Sequence, residues 1–363
     1  MTIEGLHHIT IGALDAQRTV DFYTTVLGLR FVKKTVNFDD PGTYHLYFGD
    51  EQGRPGSAIT FFEWPGVPHG RPGIGGTHHL ALKVGSHDAQ LKWKRRLTDL
   101  GLTVTGPYDR HYFTSIYFKD PDGLILEIAT LGPGWTIDEP AEVLGQSFVA
   151  PPEPLVKGHR DEEAIRSKTW PDPVPSITPD MALASGMHHI TAIGSDIHAT
   201  DAFYTGVLGM RRVKQTSNFD DPQQAHWYWG DKDGRPGSLI TYFEWKHQNA
   251  VRARIGTGQT HHFAFAVKDE EEQLAWRERL VRAGLRVSPV MDRVYFKSIY
   301  TNDPDGHIVE LATLGPGFTS DEPVETLGQG LMLPPWLERH RAEIESQLKP
   351  ITAPVWPVQV GAL

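Results

Sequence analysis

The sequence GLHHIT at residues 5–10 returns as GMHHIT at residues 186–191, which is 181 residues further along the chain. NFDDP at residues 37–41 returns after the same interval, and LGPG at residues 131–134 returns after an interval that is two residues longer. Self-similarity over so long a period is the signature of a duplicated architecture. The repeated stretches therefore predict two homologous halves.

Each half divides once more into two similar modules. In each module a strand pattern precedes a helix pattern, and three further strand patterns follow, so the predicted unit is βαβββ. In the first module Val20, Tyr23 and Val26 have helical spacing, and Gly28 stands where such a helix would end. In the second module the strand after the helix is predicted at residues 102–105. The chain is therefore predicted to be an α+β protein of four modules, which span about 5–65, 77–131, 186–246 and 260–314.

Segments outside the modules divide the chain further. The first half covers residues 1–149, a Pro-rich linker with a short helix covers 150–185, the second half covers 186–330, and a C-terminal helix and tail cover 331–363. The C-terminal helix is predicted to start at Pro334, because proline is favoured in the first turn of a helix. Such appended helices either cap a domain or contact a neighbouring subunit, which leaves a homo-oligomer open.

Composition restricts the chemistry that the chain can perform. The 363 residues carry a net charge of −10 and include no cysteine but 18 histidines. The lack of cysteine excludes disulfides, zinc–thiolate sites, iron–sulfur clusters and cysteine nucleophiles. The acidic balance without a basic block argues against nucleic acid and anionic membranes as partners. No stretch approaches the ~18 apolar residues of a membrane span, and the first residues lack a signal-peptide pattern, so a cytoplasmic location is expected.

Histidine pairs open the first strand of every module. Successive residues of a strand face opposite sides, so one histidine of each pair is expected to point into a cavity. A single pair is more often a satisfied strand-end histidine than a ligand, but four pairs in equivalent places favour metal binding, because imidazole is the commonest metal ligand. The pairs are His7-His8, His78-His79, His188-His189 and His261-His262.

Two glutamates lie inside apolar strand patterns that close the second and fourth modules. They are Glu127 in LILEIAT (124–130) and Glu310 in HIVELAT (307–313). An unpaired buried carboxylate is costly, whereas a metal ion neutralises it. The alternative is a glutamate that meets an arginine or a polar network. Because the same modules also carry histidine pairs, a metal-ligand role is favoured.

Several motifs resemble those of the vicinal oxygen chelate superfamily, whose members are built from paired βαβββ units around a divalent metal. More narrowly, HHIT (7–10), YHLYFGD (44–50), THHFAFAV (260–267) and LGPGFTSDE (314–322) are similar to hydroquinone-type, extradiol ring-cleaving dioxygenases. The resemblance covers nearly the whole chain apart from the linker and the tail. It implies two cupped mixed-sheet domains and a non-haem Fe(II) enzyme, with Mn(II) as the alternative metal. The implied partners are O2 and a small aromatic substrate, hydroquinone-like or catechol-like.

Matching motifs carry the expected metal ligands of that family over to His8, His262 and Glu310. The resemblance also implies roles for five residues around these ligands. They are His7 and Thr10 beside the first ligand, His261 as an acid/base, and Arg293 and Tyr300 toward the substrate.

The chain departs from the expected family pattern because a second, pseudo-symmetric ligand set is also intact. His79, Glu127 and His189 form this set and predict a second metal site in the same chain. Its expected neighbours are also present, namely His78, His188, Thr191, Arg110 and Tyr117. If the first module paired with the second, and the third with the fourth, the same six ligands would regroup. The sequence therefore leaves the composition of the two triads open.

Two other function classes remain as alternatives. A glyoxalase I-like metal-dependent lyase or isomerase uses a fourth protein ligand. Here the best register puts Thr60 and Thr241 at that position and turns Glu63 and Glu244 to the opposite strand face. A metal-free small-molecule binding protein would not need His/His/Glu sets. A dioxygenase is therefore favoured over both.

The third strand of the first and third modules carries further candidates. Tyr47, Trp227 and Tyr228 are candidates for the wall of a pocket for a flat ring. His45 and His226 lie on the same strands and are interpreted as core or supporting histidines.

Overall fold

The computed structural model of the chain describes residues 1–246 and 250–356. These residues form two compact units. The first unit contains residues 1–71, 254–302 and 308–356, and the second contains 72–246, 250–253 and 303–307. Each spatial unit therefore combines residues from both halves of the sequence.

Strands account for most of the regular structure. The first half contributes β1 (Gly5–Ala13), β2 (Arg30–Asn37), β3 (Asp40–Gly49), β4 (Ala58–Glu63), β5 (Thr77–Val84), β6 (Thr105–Asp109), β7 (Thr114–Lys119) and β8 (Ile125–Thr130). The second half contributes β9 (Met187–Gly194), β10 (Arg211–Asn218), β11 (Asp221–Gly230), β12 (Leu239–Glu244), β13 (Thr260–Val267), β14 (Met291–Asp292), β15 (Lys297–Asn302) and β16 (Ile308–Thr313).

The strands form one curled, mixed, eight-stranded sheet in each unit. The order is β14-β15-β16-β13-β1-β4-β3-β2 in the first sheet and β10-β11-β12-β9-β5-β8-β7-β6 in the second. The first sheet joins modules one and four through the antiparallel pair β1–β13, and the second joins modules two and three through β5–β9. The predicted α+β fold of four modules in two cupped sheets is confirmed, and the pairing that the sequence left open is now settled.

The α-helices are short and few, and side chains cap the first turns of all of them except the last. They are α1 (Ala16–Asp21), α2 (His87–Asp99), α3 (Glu162–Ser167), α4 (Ile197–Asp201), α5 (Glu270–Arg282) and α6 (Arg341–Gln347). Asp15 caps α1, Ser86 caps α2 and Asp269 caps α5, each accepting a backbone N–H. Trp93 and Trp276, fully buried, anchor α2 and α5. None of the helices that the structure describes has the length and apolar character to span a bilayer.

Three sequence-based boundaries differ from the structure. The first strand after α2 is β6 at Thr105–Asp109 rather than at residues 102–105. The helix predicted to end near Gly28 leaves the α form after Asp21 and continues as a π-helical turn over Phe22–Val26. The tail helix α6 starts at Arg341 rather than at Pro334, because Pro335 follows directly and disfavours a helical conformation at Pro334.

Candidate metal centres

Each histidine pair lies at a β-bulge. The pairing of β1 with β13 passes over His7 and His261, and the pairing of β5 with β9 passes over His78 and His188. A bulge adds an unpaired residue and interrupts the alternation of side chains. The Nδ1 atoms of the two rings in every pair consequently lie only 2.7–2.9 Å apart. The expectation that the two histidines of a pair face opposite sides was therefore wrong.

The first triad forms across three neighbouring strands. His8 on β1 lies beside Ala264 on β13, and Ala264 lies beside Glu310 on β16. Because alanine is small, the His8 and Glu310 side chains can meet above it. His262 shares the face of Ala264, two residues away. The Glu310 Oε2 atom lies 3.3 Å from His8 Nε2 and 3.0 Å from His262 Nε2, and the two Nε2 atoms are 3.3 Å apart.

The second triad repeats this arrangement in the other unit. Ala81 on β5 lies between His189 on β9 and Glu127 on β8, as Ala264 does in the first. The Glu127 Oε2 atom lies 2.9 Å from His79 Nε2 and 3.5 Å from His189 Nε2. The two Nε2 atoms are 3.1 Å apart. The structure thus brings together both sets of three residues in the grouping that the family resemblance implies.

Each triad contains one unsatisfied acceptor atom at the point where its three side chains converge. All six side chains are buried, and the Oε1 atoms of Glu310 and Glu127 accept hydrogen bonds from Ser298 and Ser115. Their Oε2 atoms receive no well-aligned hydrogen bond. A buried polar atom without a partner is costly, and a cation held between the three side chains would remove that cost. The donor set of two imidazoles and one carboxylate fits a divalent metal such as Fe(II).

The environment of His7 fixes the tautomer of His8. His7 Nε2 lies 3.1 Å from the carbonyl oxygen of Thr313, which can only accept, so His7 carries its proton there. Burial lowers the pKa of His7 to about 3, which keeps the ring neutral. His7 Nδ1 therefore accepts from His8 Nδ1–H. In the neutral form of His8 the lone pair is therefore on Nε2, the ring atom that faces Glu310.

The charge states of the triads suit cation binding. Burial alone would raise the pKa of Glu310, but His8 and His262 hold that pKa well below its usual range. The same balance holds the pKa of Glu127 well below its usual range, through His189 and His79. Burial lowers the pKa of His262. Each triad therefore offers an ionised carboxylate, and burial favours the uncharged imidazole of His262 and of His79, which is the state that binds metals.

A cavity of about 200 Å³ adjoins the first triad. Arg293 and Tyr300 line it, with Arg293 Nε donating to the Tyr300 hydroxyl over 3.2 Å. Burial raises the pKa of Tyr300, so its hydroxyl stays protonated. His261 also lines the cavity, and its Nε2 has no hydrogen-bond partner within the described part of the chain. His7 lies behind His8, where it meets Thr313.

Thr10 lies directly beside the first triad. Its hydroxyl oxygen is 2.9 Å from His262 Nε2 and 2.7 Å from the hydroxyl oxygen of Thr60. Glu63 is turned away from the triad and accepts from the backbone N–H of Ala16 at the start of α1. Glu244 accepts from the backbone N–H of Ile197 at the start of α4 in the same way. The fourth carboxylate of an isomerase is therefore missing from both triads among the residues described.

The histidines of the third strands contact threonine and tyrosine hydroxyls, in agreement with their interpretation as core or supporting residues. His45 Nε2 lies 2.9 Å from the Thr60 hydroxyl oxygen, and the Tyr47 hydroxyl lies 2.9 Å from His45 Nδ1. These contacts extend from the cavity through Thr60 to Thr10. His226 and Tyr228 make equivalent contacts in the second unit. His45 and Tyr47 can meet because they are two residues apart on a strand and so share a face.

Of the three residues on the third strands that were predicted to line a pocket, the structure places two at a cavity and one elsewhere. Tyr47 and Tyr228 line the cavities beside the first and second triads. Trp227 is out of phase with Tyr228 and instead lies under the guanidinium of Arg212, at 5.0 Å. Trp227 is therefore not placed with the residues that line either cavity.

We expect His7→Leu to weaken metal binding at the first triad by about 10–100-fold, which is typical when a group that orients a ligand histidine is lost. Leucine cannot accept the Nδ1 proton of His8, so the tautomer that exposes Nε2 loses its support. His7→Gln retains an acceptor and is expected to recover part of the affinity. Competition with a chelator measures both variants. Unchanged affinity in His7→Leu would contradict this role.

The sequence of the chain matches a family model and relatives that cover most of its length. The family model of the glyoxalase/bleomycin resistance protein/dioxygenase superfamily matches residues 5–128 and 186–311. MhqO of Bacillus subtilis (strain 168), assigned as a ring-cleaving dioxygenase, is 34% identical over 349 residues, which cover 95% of this chain and 96% of MhqO. The chlorohydroquinone/hydroquinone 1,2-dioxygenase of Sphingobium indicum is 29% identical over 348 residues, which cover 94% of this chain and 95% of that protein.

Solved structures agree with these relatives. A crystal structure assigned as a dioxygenase from Bacillus subtilis subsp. subtilis strain 168 matches with a TM-score of 0.76 and 32% identity, covering 97% of this chain and 98% of that one. Glyoxalase I from Zea mays matches with a TM-score of 0.54 and 16% identity, covering 85% and 92% of the two chains. At this low identity the maize enzyme shows a shared fold alone.

Proposed function

The chain belongs to the glyoxalase/bleomycin resistance protein/dioxygenase superfamily, and on this basis we propose that it is a ring-cleaving, extradiol-type dioxygenase for dihydroxylated aromatic compounds. The names of its relatives support ring cleavage, and one of them acts on hydroquinone. The observation that carries the proposal is the buried His8–His262–Glu310 triad beside a cavity with aromatic walls.

We propose that these three residues hold Fe(II), with Mn(II) as the alternative, because hard-ligand sites of this kind discriminate weakly between the two metals. The unpaired Oε2 atom of Glu310, which lies close to the Nε2 atoms of His8 and His262, supports this assignment. When bound, Fe(II) supplies the one-electron chemistry that dioxygen requires, and three protein ligands leave coordination positions for the substrate. The other residues of the site bind and orient the substrate, exclude water or exchange protons.

The walls of the first cavity suit a flat ring. Phe62, Trp64 and Phe296 supply aromatic surface, and about 200 Å³ of space is appropriate for a single substituted ring. These side chains also exclude water from the triad, which strengthens every polar interaction inside. A hydroquinone or catechol is therefore the substrate class that we assign to this cavity.

Polar groups at the same cavity would orient the substrate oxygens. Arg293 donates to the Tyr300 oxygen, so the Tyr300 proton is directed away from Arg293 and is available to a substrate oxygen. Arg293 is itself held by Asp39, whose carboxylate oxygen lies 3.2 Å from Nη1. The pair therefore positions one hydroxyl group of the ring.

His261 is the group that we assign to proton exchange with the substrate. When His262 binds a metal through Nε2, its Nδ1–H donates to His261 Nδ1, 2.7 Å away. His261 then carries its own proton at Nε2. It can donate that proton in a hydrogen bond to a substrate oxygen, which is the donor side of an acid/base role.

Oxygen uptake tests the proposed function. Protein reconstituted anaerobically with Fe(II) is mixed with hydroquinone, methylhydroquinone or catechol in air-saturated buffer, and the product is analysed by mass. We expect oxygen consumption and a product heavier than the substrate by two oxygen atoms. Bound iron without oxygen uptake for any diol would overturn the proposal. The Glu310→Ala variant serves as the negative control.

Methylglyoxal with glutathione is expected to give no thioester product with either Fe(II) or Ni(II). The physical reason is the missing fourth carboxylate, because Thr60 and Thr241 occupy the positions where it would stand. Absorbance of the thioester measures the reaction, with a glyoxalase I as positive control. Turnover would move the assignment to the isomerase class.

A further inference from the structure

The two triads have nearly the same inner surroundings. His45, Phe62 and Tyr300 line the first cavity, and their counterparts His226, Phe243 and Tyr117 line the inner pocket of about 30 Å³ beside the second triad. Arg293 in the first site corresponds to Arg110 in the second. The residues around the two triads are thus duplicated. The inner pocket of the second site is too small for a ring, so an aromatic diol there would lie in the larger adjoining cavity, which Phe243 and Tyr117 also line.

The outer parts of the two sites differ. In the first site Trp64 lines the cavity of about 200 Å³. Its counterpart Trp245 does not line the outer cavity of the second site, which measures about 700 Å³. That wall is formed instead by the linker, which contributes Lys157, Arg160 and Arg166. The second site therefore has more space for groups attached to the aromatic ring of a substrate.

Contacts within the second unit hold the linker in place. Arg160 has only 7% of its side chain exposed, and its Nη1 lies 2.7 Å from Asp220. Its guanidinium also lies 4.3 Å above the ring centre of Tyr108. Arg110 binds the other oxygen of the same carboxylate, over 2.9 Å. Asp220 thereby joins the linker to the inner arginine of the site.

The outer cavity has a surplus of positive charge. Arg160 is balanced by Asp220 and by Glu162, whose carboxylate lies 2.7 Å from its Nε. Lys157 and Arg166 line the same cavity, and within the described residues no carboxylate lies within ion-pair distance of either. In the first cavity, by contrast, the positive charge of Arg293 is paired with the carboxylate of Asp39. The two sites thus differ in net charge as well as in size.

From this difference we infer that the second site takes a dihydroxylated aromatic whose side arm ends in a carboxylate, whereas the first site takes an uncharged diol. The diol would lie against Phe243 and Tyr117, and the carboxylate would reach Lys157 and Arg166 at the outer end. This inference rests on the proposed function for the identity of the diol. The charge and size of the outer cavity supply the rest.

Binding measured by calorimetry tests the inference without relying on turnover. The full-length chain, loaded anaerobically with Fe(II), is titrated with 2,5-dihydroxyphenylacetate and, separately, with its uncharged methyl ester. We expect the acid to bind more tightly than the ester, and its affinity to fall as salt is added. Glu127→Ala should remove this binding, and Glu310→Ala should retain it.

Charge removal on the linker gives the sharper measurement. Lys157→Gln and Arg166→Gln together are expected to weaken acid binding about tenfold, in line with two exposed charge interactions. Ester binding should not change in that variant. Lys232→Gln removes one exposed positive charge from the same unit outside the cavity and should leave acid binding unchanged.

The outcomes separate this inference from the proposed function. Equal affinity for acid and ester, no effect of the linker variant, or acid binding that depends on Glu310 would each overturn the inference. If hydroquinone still drives oxygen uptake in such a case, the proposed function stands alone. If the acid binds as expected but no diol drives oxygen uptake, the proposed function fails and the anion site stands.

Discussion

Glu310→Ala is expected to lower oxygen uptake with hydroquinone by about a thousandfold or more, which corresponds to at least ~4 kcal/mol of lost transition-state stabilisation. The substitution removes the one anionic ligand of the first triad. His8 and His262 would remain, but two uncharged imidazoles bind a divalent metal far more weakly than a set that includes a carboxylate. Oxygen uptake and iron content, measured on the same preparation, check both effects.

The fold is expected to survive this change. The substitution also removes the cost of the buried, unpaired Oε2 atom, and this offsets the hydrogen bond of about 1 kcal/mol that the Ser298 hydroxyl loses. Glu63→Ala is the matched control, because Glu63 is another buried strand glutamate of the same unit that does not belong to the triad. Retained turnover in folded Glu310→Ala protein would remove Glu310 from the mechanism.

Glu127→Ala is expected to remove the second metal equivalent and to abolish oxygen uptake with 2,5-dihydroxyphenylacetate. The reason is the same loss of an anionic ligand, now between His79 and His189. Iron at 100 times its dissociation constant stabilises the folded chain by ~2.7 kcal/mol per site, so the thermal shift on adding Fe(II) should also shrink.

Glu244→Ala provides the control for the second unit. Glu244 accepts from the backbone of Ile197 and lies outside the triad, so its removal should not change the iron count. Full iron content in Glu127→Ala would show that the second triad holds no metal.

The sequence predicts the modules and the ligands because both depend on local patterns. Glycine-ended helices, alternating strands and the interval of 181 residues are all visible without coordinates. Glu127 and Glu310 stand out because a charged residue in an apolar strand is rarely accidental. The pattern therefore points to the two glutamates, whereas the family resemblance supplied the choice of one histidine from each pair.

Other features depend on contacts that no local pattern encodes. The bulges at His7 and His78 leave no compositional signature, so the close approach of neighbouring rings was missed. Ala81 and Ala264 allow the histidine and glutamate side chains of the flanking strands to meet, and this role depends on which strands lie beside them in the sheet. These are properties of strand register, which the sequence constrains weakly.

Neither the pairing of the modules nor the position of the linker can be predicted from the sequence alone. The sequence could not choose between β1 with β13 and β1 with β5, because the modules have similar strands. Lys157 and Arg166 are separated from the second triad by long stretches of chain. Only the anchoring of Arg160 on Asp220 shows that the linker lines that site.

The most direct test is the iron content of the full-length chain, measured by elemental analysis after anaerobic loading with Fe(II) and removal of free metal. Wild-type protein is expected to hold two irons per chain, Glu310→Ala and Glu127→Ala one each, and the double variant none. A wild-type chain without iron, or a double variant that still holds two, would contradict the account of two triads as metal centres.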